Sequence, residues 1–198
     1  MNIEASCGTL KFQEVPISFI ARGLGNLFTK KNNKSVRETL GHHRYGSLAA
    51  LVQTRYPASI DIPLGQFLND LKANGDPVYR RFLNPHGDNQ YCHFKMGMTP
   101  YSNERGLYCY SLESEIVYVG RSLDPFKKRI DQGYGKIHPK NCYIDGQSTN
   151  CHLNSLIEAN SEKVRLWVCP IHQTELISDL ERDVIGRLKP KWNVALRN

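Results

Sequence analysis

The chain has 198 residues, of which 40% are hydrophobic and 23% are charged, a composition typical of globular proteins rather than disordered ones. It has 26 basic and 19 acidic residues, and the formal net charge of +7 favours a polyanionic partner, with nucleic acid as the first candidate. Since the sequence contains neither a run of about 18 apolar residues nor a secretory signal, we expect a cytoplasmic protein that does not enter a membrane.

The first half of the chain predicts helices separated by loops. Ser35 and Glu38 have the spacing of a capping box, which marks a helix start. A further helix is expected over residues 62–71, where the apolar side chains fall on one face. Asp76 should cap another helical turn. We therefore expect a mainly helical or irregular N-terminal region over residues 1–103.

The second half predicts a regular succession of strands and helices. Residues 107–112 and 116–119 favour two strands joined by a polar turn, which is the pattern of a β-hairpin. A helix should begin at Asp124, with Pro125 at its first position. A helix, a strand and an amphipathic helix follow, over residues 152–159, 164–168 and 174–188. The order predicts an α+β fold, in which helices flank a small antiparallel or mixed sheet.

Each strand of the predicted hairpin has a tyrosine close to a glycine. Gly106 precedes Tyr108 by two residues, and Gly120 follows Tyr118 by two residues. The two tyrosines would lie near each other on neighbouring strands, and the glycines would permit close approach of a backbone or a phosphate. On these residues alone, plain cross-strand packing remains the commoner explanation.

Three further residues follow in a characteristic order. Arg129 lies on the helix after the hairpin, Glu181 lies midway along the amphipathic helix, and Asn193 comes near the end. Together with the two tyrosine–glycine motifs, this set resembles the GIY-YIG nuclease family over about residues 104–195. The resemblance implies a GIY-YIG-like nuclease unit that hydrolyses phosphodiester bonds of double-stranded DNA with Mg²⁺ or Mn²⁺.

The resemblance also implies a catalytic role for each residue. Tyr108 would orient or activate the attacking water, with its pKa lowered by the metal and by Arg129, and Tyr118 would hydrogen-bond the scissile phosphate. Arg129 would bind phosphate oxygens, and Glu181 would be the metal ligand. Asn193 would hold the active-site loop or a phosphate. A surface salt bridge and a solvated helix position remain the structural alternatives for Arg129 and Glu181.

A second group of residues is expected to contact DNA. Arg121 stands where many relatives have lysine, and Tyr134 follows Arg129 by five residues rather than one α-helical turn, so we expect it to enter the site from a loop. Lys136 belongs to a polar loop that could enter a groove of DNA. His152 and Asn154 begin the next helix and could meet a phosphate.

The same loop permits a zinc hypothesis. His138, Cys142, Cys151 and His152 lie within fifteen residues, but their spacing is unlike that of a zinc finger or ribbon. Buried thiols and loop histidines are the favoured alternative. A zinc-dependent interaction module therefore stays a third hypothesis for the whole chain.

The sequence thus predicts two regions with different roles. Residues 104–198 would be the nuclease domain, and residues 1–103 would contact DNA or form a dimer surface, since they combine basic residues with tyrosines. A restriction-type and a phage or homing-type endonuclease both fit. The competing hypothesis is a non-catalytic nucleic-acid-binding protein that retains the nuclease fold. The oligomeric state stays open, and a dimer is one option.

Overall fold

A computed structural model describes residues 1–194 of the chain, which form two compact units. The first unit comprises Met1–Arg22, Cys92–Lys136 and the chain from Leu156 onward, and the second comprises Gly23–Tyr91 and Ile137–Ser155. Both units are discontinuous in sequence. The linear division near residue 103 that the sequence predicts therefore does not coincide with the compact units.

The described residues contain eight strands, which form three sheets. The strands are β1 (Asn2–Ala5), β2 (Gly8–Lys11), β3 (Gln13–Val15), β4 (Ile17–Leu24), β5 (Tyr91–Met96), β6 (Gly106–Leu112), β7 (Glu115–Ser122) and β8 (Val164–Pro170). The main sheet has the order β3-β8-β6-β7, while β1 pairs with β2 and β4 pairs with β5. All three neighbouring pairs of the main sheet are antiparallel.

The helices confirm the coarse α+β class. They are α1 (Val36–Leu40), α2 (Gly46–Arg55), α3 (Leu64–Ala73), α4 (Phe126–Lys128), α5 (Ser148–Ala159) and α6 (Ile177–Leu188). The predicted capping box is present at α1, where the Ser35 hydroxyl accepts from the Glu38 N–H and the Glu38 carboxylate accepts from the Ser35 N–H. Within the described part of the chain, no helix has the length and apolar character needed to cross a membrane.

The predicted helical or irregular N-terminal region is wrong for its first 24 residues, which contain four strands. Three of these strands are only three or four residues long, so each is too short for an alternation of apolar and polar residues to be recognised. The strand β3 also has only one buried residue, Val15, because it forms the edge of the main sheet.

The main sheet uses its two faces differently. Leu107 and Cys109 of β6 and Val119 of β7 belong to a buried apolar cluster that also contains Ile177 and Val184 of α6. Because successive side chains of a strand alternate between faces, the intervening tyrosines Tyr108, Tyr110 and Tyr118 lie on the opposite face. The helix α6 therefore fixes one face of the hairpin while the tyrosines occupy the other.

The second unit has an apolar core of its own. Leu64, Phe67 and Leu68 of α3 are buried there with Val52 of α2 and Phe82. Phe82 ends a six-residue 3-10 helix, Pro77–Phe82, whose first turn is capped as predicted when the Asp76 carboxylate accepts from the Val78 N–H at 3.0 Å. These side chains give the second unit a hydrophobic core of its own, and its cysteines Cys142 and Cys151 are free thiols.

Candidate functional site

A cleft of about 300 Å³ in the first unit contains most of the residues that the motifs single out. We call it the tyrosine cleft and define it by its lining residues, Tyr108, Tyr118, Arg121, Ser122, Leu123, Asp124, Arg129 and Glu181. Four of the five predicted catalytic residues and one predicted DNA-contacting residue, Arg121, thus share one cavity.

The register of the hairpin brings the tyrosines together. Tyr108 of β6 lies opposite Gly120 of β7, and Tyr110 lies opposite Tyr118. The ring centroids of Tyr108 and Tyr118 are 6.1 Å apart, which confirms the expected proximity of the two motif tyrosines. The register shifts between Tyr110 and Ser111, so the pairing of β6 with β7 is irregular beside the tyrosines. Irregularities of this kind, such as β-bulges, are common next to functional sites.

The two motif glycines have different physical roles. A Cβ atom on Gly120 would lie 2.6 Å from the Tyr108 hydroxyl and 2.8 Å from Cε1 of Tyr118, so this glycine makes room for both phenols. Gly106 has φ 146°, which disfavours any other residue, and a Cβ there would lie 2.2 Å from the Cys169 carbonyl oxygen. Gly120 therefore shapes the cleft, while Gly106 permits close backbone packing between β6 and β8.

Tyr134 enters the site from a π-helix and not from a loop as expected. The helix α4 continues as a π-helical turn over Arg129–Tyr134, and the Gly135 N–H donates to the Ile130 carbonyl at 2.7 Å, an i→i+5 bond. A π-turn has one residue more than an α-turn, so residues five apart, such as Arg129 and Tyr134, come to one face. The wider turn therefore accommodates the spacing that an α-helix would not.

The hydroxyl of Tyr134 connects the polar groups of the cleft. Arg129 Nη2 donates to it at 2.6 Å and the Tyr108 hydroxyl donates to it at 3.0 Å. The hydroxyls of Tyr134 and Tyr118 lie 3.3 Å apart, and either of them can be the donor. The three phenols and Arg129 thus form one hydrogen-bonded network, in which Tyr118 lines the cleft.

Burial keeps the motif phenols in their neutral form. Burial raises the pKa of Tyr108 well above its ordinary value, neighbouring Tyr118 and Tyr134 add to this effect, and Arg129 only partly opposes it. The pKa of Tyr118 is raised in the same way, again chiefly by burial. Arg129 does lower the pKa of Tyr108 as expected, but desolvation of the phenolate outweighs the nearby positive charge, so the pKa is raised overall.

Glu181 forms an ion pair with Arg121, which belongs to the hairpin strand β7. Arg121 Nε lies 3.2 Å from Glu181 Oε2, and Arg121 Nη1 also donates to the Ser178 hydroxyl. The carboxylate side chain is only 14% exposed, and burial raises its pKa although Arg121 and, less strongly, Arg129 oppose the shift. A partly desolvated carboxylate of this kind gains from a second nearby cation.

The donor set of the cleft suits one hard divalent cation. Glu181 supplies carboxylate oxygens, the ligand type that Mg²⁺ and Mn²⁺ prefer, and water and substrate phosphate commonly complete such sites. Across residues 1–194 no group of three or more His, Cys, Asp or Glu side chains has the geometry to hold a metal. Of the two carboxylates that line the cleft, Asp124 is exposed and paired with Lys128, so Glu181 is the better candidate for a metal ligand.

Asn193 lies at the edge of the sheet and does not line the cleft. Its Oδ1 accepts from the Val119 N–H at 2.9 Å, and its Nδ2 donates to the Val119 carbonyl at 2.8 Å. The Trp192 N–H donates to the Val117 carbonyl at 2.8 Å in the same segment. Both polar atoms of the Asn193 amide are therefore used to fix the edge strand β7, one residue from Tyr118 and Gly120.

The remaining predicted DNA contacts are not cleft residues. Lys136 is exposed and forms an isolated bridge with His93. His152 packs its ring 4.4 Å from that of His86, and Asn154 is fully buried in α5. Full burial leaves Asn154 no exposed surface with which to contact DNA in this structure. The helix α5 begins at Ser148, so the predicted place of Asn154 at the start of a helix, where it could meet a phosphate, is wrong.

The structure also bears on the zinc hypothesis. The His138 ring accepts from the Lys140 N–H, and the Cys142 thiol donates to the Tyr91 hydroxyl at 3.9 Å. Cys142 and Cys151 are both fully buried, and they do not form a metal-holding group with any two histidines in the described chain. The favoured alternative of buried thiols and loop histidines fits these contacts.

Two residues of the site were missed by the sequence analysis. Tyr110 is fully buried beside Tyr118 at a ring distance of 6.2 Å, and its hydroxyl has no hydrogen-bond partner within the described residues. Its position two residues after Tyr108, on the same strand face, was the available signal. Ser178, which accepts from Arg121, lies three residues before Glu181 and thus on the same helix face.

Comparison of the chain with protein-family models, curated proteins and solved structures gives no match.

Proposed function

We propose that the chain is a metal-dependent endonuclease of the GIY-YIG type, which hydrolyses phosphodiester bonds of double-stranded DNA in the tyrosine cleft. The observation that carries the proposal is that this one cavity holds two phenols, two arginines and two carboxylates, of which Glu181 is the more buried. Hydrolysis of a phosphodiester requires neutralised phosphate charge, a positioned water and a stabilised leaving oxygen. The lining residues supply a group for each requirement.

The two arginines would share the phosphate. Arg121 is exposed at the mouth of the cleft and can meet a backbone phosphate first. Arg129 is held by the Tyr134 hydroxyl and its guanidinium stacks 4.6 Å from the Tyr134 ring centroid. This fixed orientation favours bidentate binding of phosphate oxygens where charge increases during the reaction.

The phenols act as neutral hydrogen-bonding groups in this proposal. Both phenols line the cleft, so the Tyr118 hydroxyl can donate to a phosphate oxygen, while the lone pairs of Tyr108, which donates to Tyr134, can accept from the attacking water. Both phenols thus orient reactants. Proton removal by Tyr108 itself would require its pKa to fall on substrate binding, against the effect of burial.

Glu181 is the residue that would hold a divalent cation. When bound, such a cation polarises phosphate oxygens and lowers the pKa of coordinated water. The chain's own contribution is the carboxylate of Glu181, which Arg121 neutralises in the free protein at 3.2 Å. Arg121 would have to move from Glu181 to a phosphate as DNA binds, so the ion pair and the bound state exclude each other.

The experiment is a cleavage assay with the purified protein on plasmids and mixed linear duplexes. Fragments should form with Mg²⁺ or Mn²⁺, disappear when EDTA removes the metal, and return when metal is added back. Circular dichroism verifies that the protein is folded throughout. Absence of cleavage on varied sequences by folded protein would overturn the proposal.

The non-catalytic alternative is favoured by one observation. Arg121 forms an ion pair with Glu181, the largely buried carboxylate of the tyrosine cleft. This ion pair occupies the carboxylate that a metal would need. A folded protein that binds duplex DNA with equal affinity with and without metal, and leaves it uncut, would support this alternative.

A further inference from the structure

The second unit contains a small pocket lined by basic residues, separate from the tyrosine cleft. It encloses about 100 Å³ and we call it the lysine pocket. Its lining residues are Lys31, Asn33, Lys34, Glu38, Thr39, His42, Tyr45, Lys140 and Asp145. This volume equals that of about three liquid water molecules and is well below the roughly 300 Å³ of typical organic-ligand pockets. Its size suits a tetrahedral oxyanion.

Lys31 is the unusual member of this group. Lysine is rarely buried without a partner, yet Lys31 is only 8% exposed. Its ammonium lies 4.8 Å from the centroid of the Tyr143 ring, and no hydrogen bond or ion pair satisfies it among residues 1–194. Burial lowers the pKa of Lys31; Asp145 opposes this shift, and nearby Lys34 and Lys140 add to it. A desolvated cation with other cations close by gains free energy when an anion enters.

The acidic residues of the pocket already have partners. The Glu38 carboxylate accepts from the Ser35 N–H at 2.7 Å and from its hydroxyl at 3.0 Å. The Asp145 carboxylate accepts from the Tyr45 hydroxyl at 2.6 Å. Since three lysines face two carboxylates, the lining keeps a positive excess. The capped carboxylates are therefore less able to satisfy Lys31 than an incoming anion.

Residues that neighbour the pocket lining in sequence or in space are fixed by hydrogen bonds before any ligand binds. The Tyr143 hydroxyl donates to the Phe28 carbonyl at 2.8 Å, and Arg44 Nη1 donates to the Ile144 carbonyl at 2.9 Å. His42 Nδ1 accepts from the Arg44 N–H at 3.3 Å, which places the ring hydrogen on Nε2 as a further donor. A site of fixed donors loses little conformational entropy on binding.

We propose that the lysine pocket binds a phosphate group, with Lys31 as the principal donor and Lys34, Lys140 and His42 around it. Phosphate has the size, the charge and the acceptor oxygens that this lining requires. Inorganic phosphate and a phosphate of DNA present the same chemistry. The site does not depend on the proposed nuclease activity, because none of its residues lines the tyrosine cleft.

Thermal unfolding in sodium phosphate and in sodium chloride at equal ionic strength tests the proposal. Phosphate should raise the melting temperature of the wild type in a saturable way, since a ligand that binds the folded state stabilises it. Lys31→Met should weaken phosphate binding about tenfold or more, as expected for loss of a charge-assisted hydrogen bond. Lys30→Met is the matched control, because Lys30 is exposed and lies outside the pocket; it should behave like the wild type.

A second variant covers the case in which Lys31→Met does not fold. Lys140→Gln changes an exposed lining residue and should also weaken phosphate binding. Equal phosphate dependence in the wild type and in all variants, or none in the wild type, would overturn the proposal.

Duplex DNA binding in chloride buffer separates the two sources of the phosphate group, inorganic phosphate and DNA. Loss of DNA affinity in Lys31→Met but not in Lys30→Met would assign a DNA phosphate, and unchanged affinity would assign inorganic phosphate.

Discussion

The tyrosine cleft and the lysine pocket each place a cation against an aromatic ring, and they differ in what else the cation meets. Arg129 lies 4.6 Å from the Tyr134 ring centroid and also donates to the Tyr134 hydroxyl. Lys31 lies 4.8 Å from the Tyr143 ring centroid, but the Tyr143 hydroxyl donates to a backbone carbonyl instead. The planar guanidinium of Arg129 contacts both the ring and the hydroxyl of its tyrosine, whereas the ammonium of Lys31 contacts only the ring. The chain gives Arg129 a hydrogen bond at Nη2, although its buried Nε has no partner among the described residues, whereas the Lys31 ammonium has no side-chain hydrogen bond there.

Arg129→Lys should have the largest effect of the substitutions that test the difference between the two cations. It gives the tyrosine cleft the same point charge that the lysine pocket has, and removes the fork that meets phosphate oxygens. We expect the single-turnover rate of DNA cleavage to fall by about 10²–10³, as for loss of one preorganised transition-state donor. Retention of the wild-type rate would mean that a point charge suffices and that the guanidinium geometry is unimportant.

Methionine at the two cation positions should affect stability differently. Arg129→Met removes a charged donor from Tyr134, so the free energy of unfolding should fall by about 1.5–3 kcal/mol. Lys31→Met removes a charge that contacts the Tyr143 ring but makes no hydrogen bond or ion pair with the described residues, so in phosphate-free buffer the change should stay within about 1 kcal/mol of wild type or be stabilising. Urea unfolding measures both variants. Equal losses would remove the distinction between a cation with a hydrogen bond from its side chain and a cation without one.

Gly120→Ala tests how tightly the phenols of the tyrosine cleft are packed. The new methyl group would lie 2.6 Å from the Tyr108 hydroxyl, so we expect a loss of about 1–3 kcal/mol in unfolding free energy from overpacking. Gly186→Ala in α6 is the control, because no atom lies within 4 Å of its added methyl. That control should be neutral or stabilising by up to about 1 kcal/mol, since alanine is the better helix former. Similar effects at both positions would argue against a crowded cleft.

Alkaline pH should lower the stability of the protein, because tyrosines of both sites have raised pKa values. Burial raises the pKa of Tyr108 and Tyr118 in the cleft and that of Tyr143 beside the pocket. A phenol whose pKa is higher in the folded state stays protonated there while the unfolded chain ionises. Its contribution to stability is therefore complete below about pH 10 and is lost as the pH rises further. Tyrosinate absorbance and far-UV circular dichroism should change together above that pH. Ionisation of these tyrosines in folded protein below pH 10 would contradict the assignment.

The parts of the fold that the sequence predicts are those with local signals. The hairpin follows from two apolar strands around a polar turn, and α6 follows from its period of 3.6 residues. The capping box at Ser35 needs only two residues at the right spacing. The edge strand β3 has three residues and one buried side chain, so no periodicity exists from which to predict it.

The site residues also separate into those with a local sequence signal and those without one. Proximity of Tyr108 and Tyr118 follows from hairpin register, which is a local property. The π-turn at Arg129 and the contact of Asn193 with Val119 depend on backbone interactions that no residue pattern specifies. Burial of Lys31 likewise arises only when the distant stretch around Tyr143 packs against it. The π-turn, the Asn193 contact and the burial of Lys31 all depend on tertiary contacts, which cannot be predicted from local sequence propensity.

Replacement of the cleft carboxylate tests the central claim most directly, with cleavage and DNA binding measured on the same samples. Glu181→Ala removes the proposed metal ligand, and Asp179→Ala on the same helix is the control, because its side chain is 72% exposed and pairs only with Arg182. We expect Glu181→Ala to bind DNA like the wild type and to cleave it at least about 1,000-fold more slowly, since a bound metal contributes several kcal/mol to such reactions. Asp179→Ala should cleave normally. Cleavage by Glu181→Ala at the rate of Asp179→Ala would contradict the assignment of the tyrosine cleft as the active site.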